Sequence, residues 1–171
     1  MRSNFEDVGD FHEKFGLPNT MDGLGDTELS VSDELMAFRL KFMHEELEEF
    51  TKALETMDHP EMFDALLDLV YVAMGTAHLL GYPWQTGWNA VQTANMKKVR
   101  ALPDGSNSKR GSGFDVVKPA GWKAPDIGLV LDQAFHRCPT CHRSLEFIYP
   151  VALIVEQDVL FFCSQNCATY A

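Results

Sequence analysis

Cysteine is missing from the first 137 residues of this 171-residue chain, so neither a disulfide nor a thiolate metal site staples its main body. Long apolar runs are lacking as well. None approaches the roughly 20 residues of a membrane span, and the N-terminal MRSNFEDVGDF has acids where a signal peptide needs an apolar stretch. The chain is therefore expected to be soluble and cytoplasmic, with no membrane partner. Basic residues are few, 14 Lys and Arg against 25 Asp and Glu, and the net charge of −11 argues against a nucleic-acid partner, because a polyanion would be repelled. No Glu-x-x-His occurs anywhere, which argues against a di-iron bundle.

What is present is a 46% hydrophobic chain, enough for one well-packed domain and a small appendage. Ser3 and Glu6 are spaced as a capping box for a helix ended by Gly16 and Pro18. After a Gly-rich acidic loop, Ser32 is placed to cap a helix running to about Met57, with Met43, Leu47, Phe50 and Leu54 as its core stripe. Asp58-His59-Pro60-Glu61 opens the next helix, which ends at Gly81, and a further helix covers roughly Trp84 to Arg100. The expected architecture is all-α, a four-helix bundle over residues 1–100. A basic Gly/Pro/Ser-rich arm (101–128) and a cysteine-bearing β module (129–171) follow.

The chemistry concentrates in two helices. Between Met62 and Leu80 the polar exceptions Asp64, Asp68, Tyr71, Gly75 and His78 recur on one helical stripe of an otherwise apolar segment. Burying an unpaired carboxylate costs several kcal/mol, so two of them on a buried helix call for a cation. Glu45, Glu46, Glu48 and Glu49 crowd the preceding helix, and facing carboxylates at these spacings build an oxygen-rich cage suited to Mg²⁺ or Mn²⁺. Glu46 flanks the expected core stripe and is the better placed of the group to face another helix. Seven of the basic residues, Lys97, Lys98, Arg100, Lys109, Arg110, Lys118 and Lys123, follow this acidic cage, an order that suits a metal-chelated phosphate ligand.

Glu45-Glu46-Leu47-Glu48-Glu49 fits the EExxE motif of the MazG-like all-α nucleoside triphosphate pyrophosphohydrolases, and Asp64-Ala65-Leu66-Leu67-Asp68 resembles their aspartate-bearing second helix. With GTAHLLGYP and TANMKK following, roughly residues 33–126 resemble the phage and bacterial branch related to phosphoribosyl-ATP pyrophosphohydrolases. One departure is that the usual ExxD finds Ala65 three residues before Asp68, while Glu61-Met62-Phe63-Asp64 matches in another register. Asp64 with Asp68 is the pair expected on the polar stripe.

The resemblance implies hydrolysis of a (d)NTP to (d)NMP and pyrophosphate in nucleotide-pool metabolism. Two or three Mg²⁺ or Mn²⁺ would sit on Glu45, Glu46, Glu49, Asp64 and Asp68, with Glu46 or Glu45 as the catalytic glutamate that orients or deprotonates water. It places Asn95 and Lys98 at sugar or phosphate positions, and Lys109, Arg110 and Lys118 could close over the phosphates from the arm. Base contacts could come from Tyr82, Trp84, Trp88 and Gln92. Some phage members, the MazZ type, act on dGTP for genomes carrying 2-aminoadenine, so (d)GTP ranks first, and a viral member would work in the host cytoplasm. A dimer or tetramer is expected, since an all-round apolar helix needs cover. The competing reading is a non-enzymatic nucleotide-binding module.

Cys138-x2-Cys141 and Cys163-x3-Cys167 suit one tetrahedral structural Zn²⁺ in a ribbon, with a β-hairpin supplied by Phe147 to Phe162. His136 and His142 could replace a cysteine. In the competing reading this ribbon recruits a partner.

Overall fold

A computed structural model describes residues 2–17, 33–135, 151–155 and 158–162, the last two stretches by their backbone. The chain divides into two compact units, 1–84 and 85–171.

The first unit is helical. Helix α1 (Asn4–Lys14) begins with the expected reciprocal cap: Ser3 N–H donates to Glu6 Oε2 (2.6 Å) and Glu6 N–H to Ser3 Oγ (3.3 Å). Helix α2 (Asp33–Thr56) and helix α3 (His59–Leu79) form an antiparallel hairpin. Asp58 caps α3 by accepting from Glu61 N–H, with Pro60 in the first turn where its missing N–H is harmless. Gly81 (φ 63°) ends α3 in a Schellman motif, Gly81 N–H donating to His78 O and Tyr82 N–H to Ala77 O. Ser32, the expected cap of α2, lies outside the described residues.

The seam between α2 and α3 differs from the expected stripe. On α2 the buried residues are Arg39, Glu46 and Ala53, while Leu47 and Leu54 remain 49% and 47% exposed. These face a matching seven-residue series on α3, Ala65, Val72 and Leu79, all buried. Small residues such as Ala53 and Ala65 at buried seam positions favour close approach of two helices, which a Leu/Phe face does not. The inward face of α2 is thus about 70° from the centre of the expected core stripe, so that Met43 and Phe50 on the near side are half-buried while Leu47 and Leu54 are turned out, and Glu46 is buried within the inward face.

Helix α1 packs on α3 through Val8 and His12, with Phe5 stacked on Trp84 (5.8 Å, 7° between planes) and edge-on to His78. Contrary to the expectation of a buried α3, Phe63, Leu66, Leu67 and Val70 lie exposed. The 21-residue α3 is long and apolar enough, by length and composition only, to cross a membrane, a test that the core helix of a soluble protein also passes. Asp64 and Asp68 within it would be costly in hydrocarbon.

In the second unit, helix α4 (Trp84–Asn95) starts at the boundary and stops five residues short of the expected Arg100, because Val99–Arg100 (β1) pairs antiparallel with Val116–Val117 (β2). The arm is therefore ordered around a two-strand ladder. Helix α5 (Ile127–Ala134), not expected from the sequence, crosses the boundary between the arm and the module read as β, and is capped by Asp126 accepting from Leu129 N–H (2.9 Å). Strands β3 (Val151–Val155) and β4 (Asp158–Phe162) pair antiparallel within the expected hairpin. Cys138, Cys141, Cys163 and Cys167, with His136 and His142, lie outside the described residues.

Candidate active site

Arg39 and Glu46 sit seven residues apart on the buried edge of α2, about 10 Å along the helix. Opposite them α3 presents Val72, Gly75 and Thr76 near Arg39, and Asp68 near Glu46. Between the helices, closed on one side by α1, is a cavity of about 320 Å³ with mostly apolar walls. Arg39 is fixed by two bonds to α3, Nε to Thr76 Oγ1 (3.0 Å) and Nη2 to Val72 O (2.7 Å). Phe11, Phe42 and Tyr71 supply aromatic walls, Phe11 edge-on to Tyr71 at 5.5 Å.

Glu46 is 7% exposed, and its buried Oε2 has no hydrogen-bond partner among the described residues. Burial first, then the like charges of Glu49, Asp68, Glu45 and Asp64, push its carboxyl above the ordinary carboxylate range. The other four expected carboxylates, all exposed, thus each bear on Glu46 as like charges. Glu61, the other register of the acidic motif, is exposed at the start of α3 and absent from that set, whereas Ala65 is in the seam. Glu45 is half exposed and reaches Lys41 (3.3 Å), a surface pair worth a few tenths of a kcal/mol. As the side chains stand, no three His, Cys, Asp or Glu among the described residues are grouped tightly enough to hold a metal ion.

His12 closes the cavity from α1, buried, 4.9 Å from the His78 ring and with Nδ1 lacking a partner among the described residues. Burial, then His78 and Arg39, drag its imidazole from 6.5 down to about 4. The fold thus holds His12 neutral while the unfolded chain takes up a proton at 6.5. Its stabilising contribution is complete above pH 6.5 and is lost as pH falls through about 4, at most about 3 kcal/mol. Glu46 runs the other way, its contribution being present below the ordinary carboxylate value and lost as pH rises through the raised one. Urea titrations of metal-free protein should show His12→Asn flattening the decline between pH 6.5 and 4. An unaltered decline would contradict a neutral buried His12.

The expected phosphate residues belong to the second unit. Trp122 Nε1 donates to Ala94 O (2.7 Å), and its ring draws in Lys98 Nζ (5.7 Å from the centroid) and Lys118 Nζ (4.3 Å). Asn95 is exposed at the end of α4. Lys98 and Lys118 are thus brought together, 20 positions apart in sequence, with Trp122 as the organiser that the sequence reading did not single out. Arg110 is instead paired with Asp115 (2.9 Å), which also accepts from Ser108 Oγ, and Lys109 is exposed.

Of the aromatic residues expected near a base, Trp84 is engaged with Phe5, and the cavity beside the carboxylates uses Phe11, Phe42 and Tyr71. Arg39 and His12 were not anticipated. The seven-residue register of Arg39, Glu46 and Ala53 against Ala65, Val72 and Leu79 is the signal that points to Arg39.

The family profile described as phosphoribosyl-ATP pyrophosphohydrolase matches residues 8–95, the stretch from α1 to the end of α4. No curated protein matches the chain.

Proposed function

Given that the chain belongs to the phosphoribosyl-ATP pyrophosphohydrolase family, and so to the MazG-like all-α nucleotide pyrophosphohydrolases, we propose that it cleaves a nucleoside triphosphate to monophosphate and pyrophosphate with divalent-ion assistance. The observation that carries this reading is Glu46: a buried carboxylate with an unpartnered oxygen, raised by four neighbouring carboxylates. An all-oxygen donor set with an orphaned buried oxygen fits Mg²⁺ or Mn²⁺, and Glu45, Glu46, Glu49, Asp64 and Asp68 would hold two or three such ions. When bound, the ions supply charge neutralisation for the triphosphate and a bound water of lowered pKa.

The chain's own side chains account for the rest. Glu46, the inward member of the Glu45/Glu46 pair, orients the attacking water and accepts its proton, a role that a raised carboxyl serves better than an exposed one. Asn95, Lys98 and Lys118 meet sugar and phosphates, with Lys109 and Arg110 as secondary contacts; Arg110 would first have to release Asp115. Guanine, as (d)GTP, is placed first among the bases.

The exposed apolar residues Phe63, Leu66, Leu67 and Val70 on α3 support assembly into a dimer or tetramer. The C-x2-C and C-x3-C pairs support a structural Zn²⁺. Light scattering and zinc content of the purified chain test these two points, and a monomer or a zinc-free chain would overturn them.

The test of the reaction is a panel of ribo- and deoxyribonucleoside triphosphates with Mg²⁺ or Mn²⁺, scoring monophosphate and pyrophosphate separately from diphosphate and orthophosphate. Monophosphate with pyrophosphate from one or two purines is the expected result. Nucleotide binding without products would replace the hydrolase by a binding module.

A further inference from the structure

The end of the cavity away from the carboxylates has chemistry of its own. Arg39 is 7% exposed, and its Nε and Nη2 already donate to Thr76 and Val72 of α3. The guanidinium is thereby locked by one edge. Its other edge, Nη1 with the second N–H of Nη2, has no hydrogen bond among the described residues. Arginine presents such an edge as two parallel donors in a fixed plane.

Gly75 makes this placement possible. A Cβ there would lie 2.9 Å from Arg39 Nη2 and 3.0 Å from His12 Nε2, so the absence of a side chain lets both settle against α3. His12, held neutral, adds no second cation. Around the arginine are Phe11, Phe42 and Tyr71. A planar aromatic ligand portion with two adjacent acceptors matches this end, because its faces meet aromatic walls and its edge meets the paired donors. A phosphate matches it less well, since its charge would be stripped of water against apolar walls with one cation to answer it.

Arg39 and Glu46 are about 10 Å apart along α2, a separation comparable to that between the base edge of a nucleotide and its phosphates. Resting on the reading of the carboxylate end as the triphosphate site, we propose that Arg39 reads the base, donating both N–H groups of its open edge to O6 and N7 of a 6-oxopurine, guanine or hypoxanthine. Adenine offers N7 beside an amino donor at position 6, which sets N–H against N–H and loses one bond of the pair. The 2-amino group takes no part in this contact, so dITP is recognised with dGTP.

The experiment compares dGTP, dITP, dATP and 7-deaza-dGTP on the wild-type full chain and on Arg39→Lys, measuring kcat and KM separately. Wild type should favour dGTP and dITP over dATP and over 7-deaza-dGTP, which lacks the N7 acceptor, by about 10- to 100-fold in kcat/KM. In Arg39→Lys the gap between dGTP and 7-deaza-dGTP should collapse, since lysine offers no paired donors. Equal use of dGTP and 7-deaza-dGTP by wild type overturns the proposal without reference to any variant. A uniform rise in KM for every nucleotide in Arg39→Lys also overturns it, assigning the arginine to phosphate. If no nucleotide yields pyrophosphate, the hydrolase reading fails by itself. Arg39 is then judged by equilibrium binding of dGMP against 7-deaza-dGMP, with 10-fold weaker binding of the latter supporting base reading and equal binding refuting it.

Discussion

Glu46→Gln and Asp68→Asn should each lower pyrophosphate release by about 10²- to 10³-fold, and Glu46→Gln should at the same time make the metal-free protein more stable. The opposite signs have one cause. Glu46 is buried, Glu49, Asp68, Glu45 and Asp64 are exposed beside it, and without a cation its ionised form is repelled by all four. Its folded-state carboxyl is raised, so its stabilising contribution exists below the ordinary value of 4.5 and is lost as pH climbs through the raised one. Burial and the four like charges therefore disfavour the ionised form of Glu46 in the metal-free fold. Glutamine keeps the shape and removes the charge, relieving that repulsion. Mg²⁺ should raise the Tm of the wild type and leave that of Glu46→Gln nearly unmoved. Thermal melts in EDTA and in Mg²⁺, paired with the product assay, check both halves. A Glu46→Gln protein that melts below the wild type in EDTA would show that Glu46 has a bonding role in the fold and is no reserved metal oxygen.

The legibility of this arrangement in the sequence divides along local and non-local lines. Caps and stops obey short-range rules, so Ser3 with Glu6, Asp58 with Pro60, and Gly81 could be placed from their neighbours alone. The polar stripe from Asp64 to His78 was legible for the same reason, since helical periodicity puts Asp68, Tyr71 and Gly75 on the face that lines the cavity. The rotation of α2 was not. Met43, Leu47, Phe50 and Leu54 outrank Arg39, Glu46 and Ala53 on hydrophobicity, yet the buried face is the one whose seam brings Ala53 and Ala65, small residues that favour close approach of two helices. That is a property of the pair of helices. The grouping of Lys98 and Lys118 by Trp122 is likewise set by the β1–β2 ladder, four residues of weak local signal. Arg39 was invisible as a site residue because a lone arginine early in a helix reads as a solvated one. Its burial depends on a glycine 36 positions away.

That glycine gives the second large effect: Gly75→Val should destabilise the protein by about 3 kcal/mol or more, and Gly75→Ala by about 1–2 kcal/mol. Helix propensity alone says the reverse, since alanine in a helix interior is better than glycine by about 0.5–1 kcal/mol. The clash wins because neither neighbour can retreat cheaply. Arg39 Nη2, 2.9 Å from the new Cβ, is held by its bond to Val72 O, and breaking a buried charged hydrogen bond costs about 1.5–3 kcal/mol. His12 Nε2, 3.0 Å away, belongs to a ring 3% exposed and packed against His78. Urea midpoints with an unchanged m-value would read the loss as stability and not as a change in the unfolded chain. The two contributions separate in a cycle with Arg39→Ala. Once the guanidinium is gone, Gly75→Ala keeps its propensity gain and retains only the contact with His12, so its cost should shrink by at least about 1 kcal/mol. A Gly75→Ala penalty of the same size in both backgrounds would place the strain on His12 alone, and a Gly75→Ala protein more stable than wild type would mean that the cavity end has room to move.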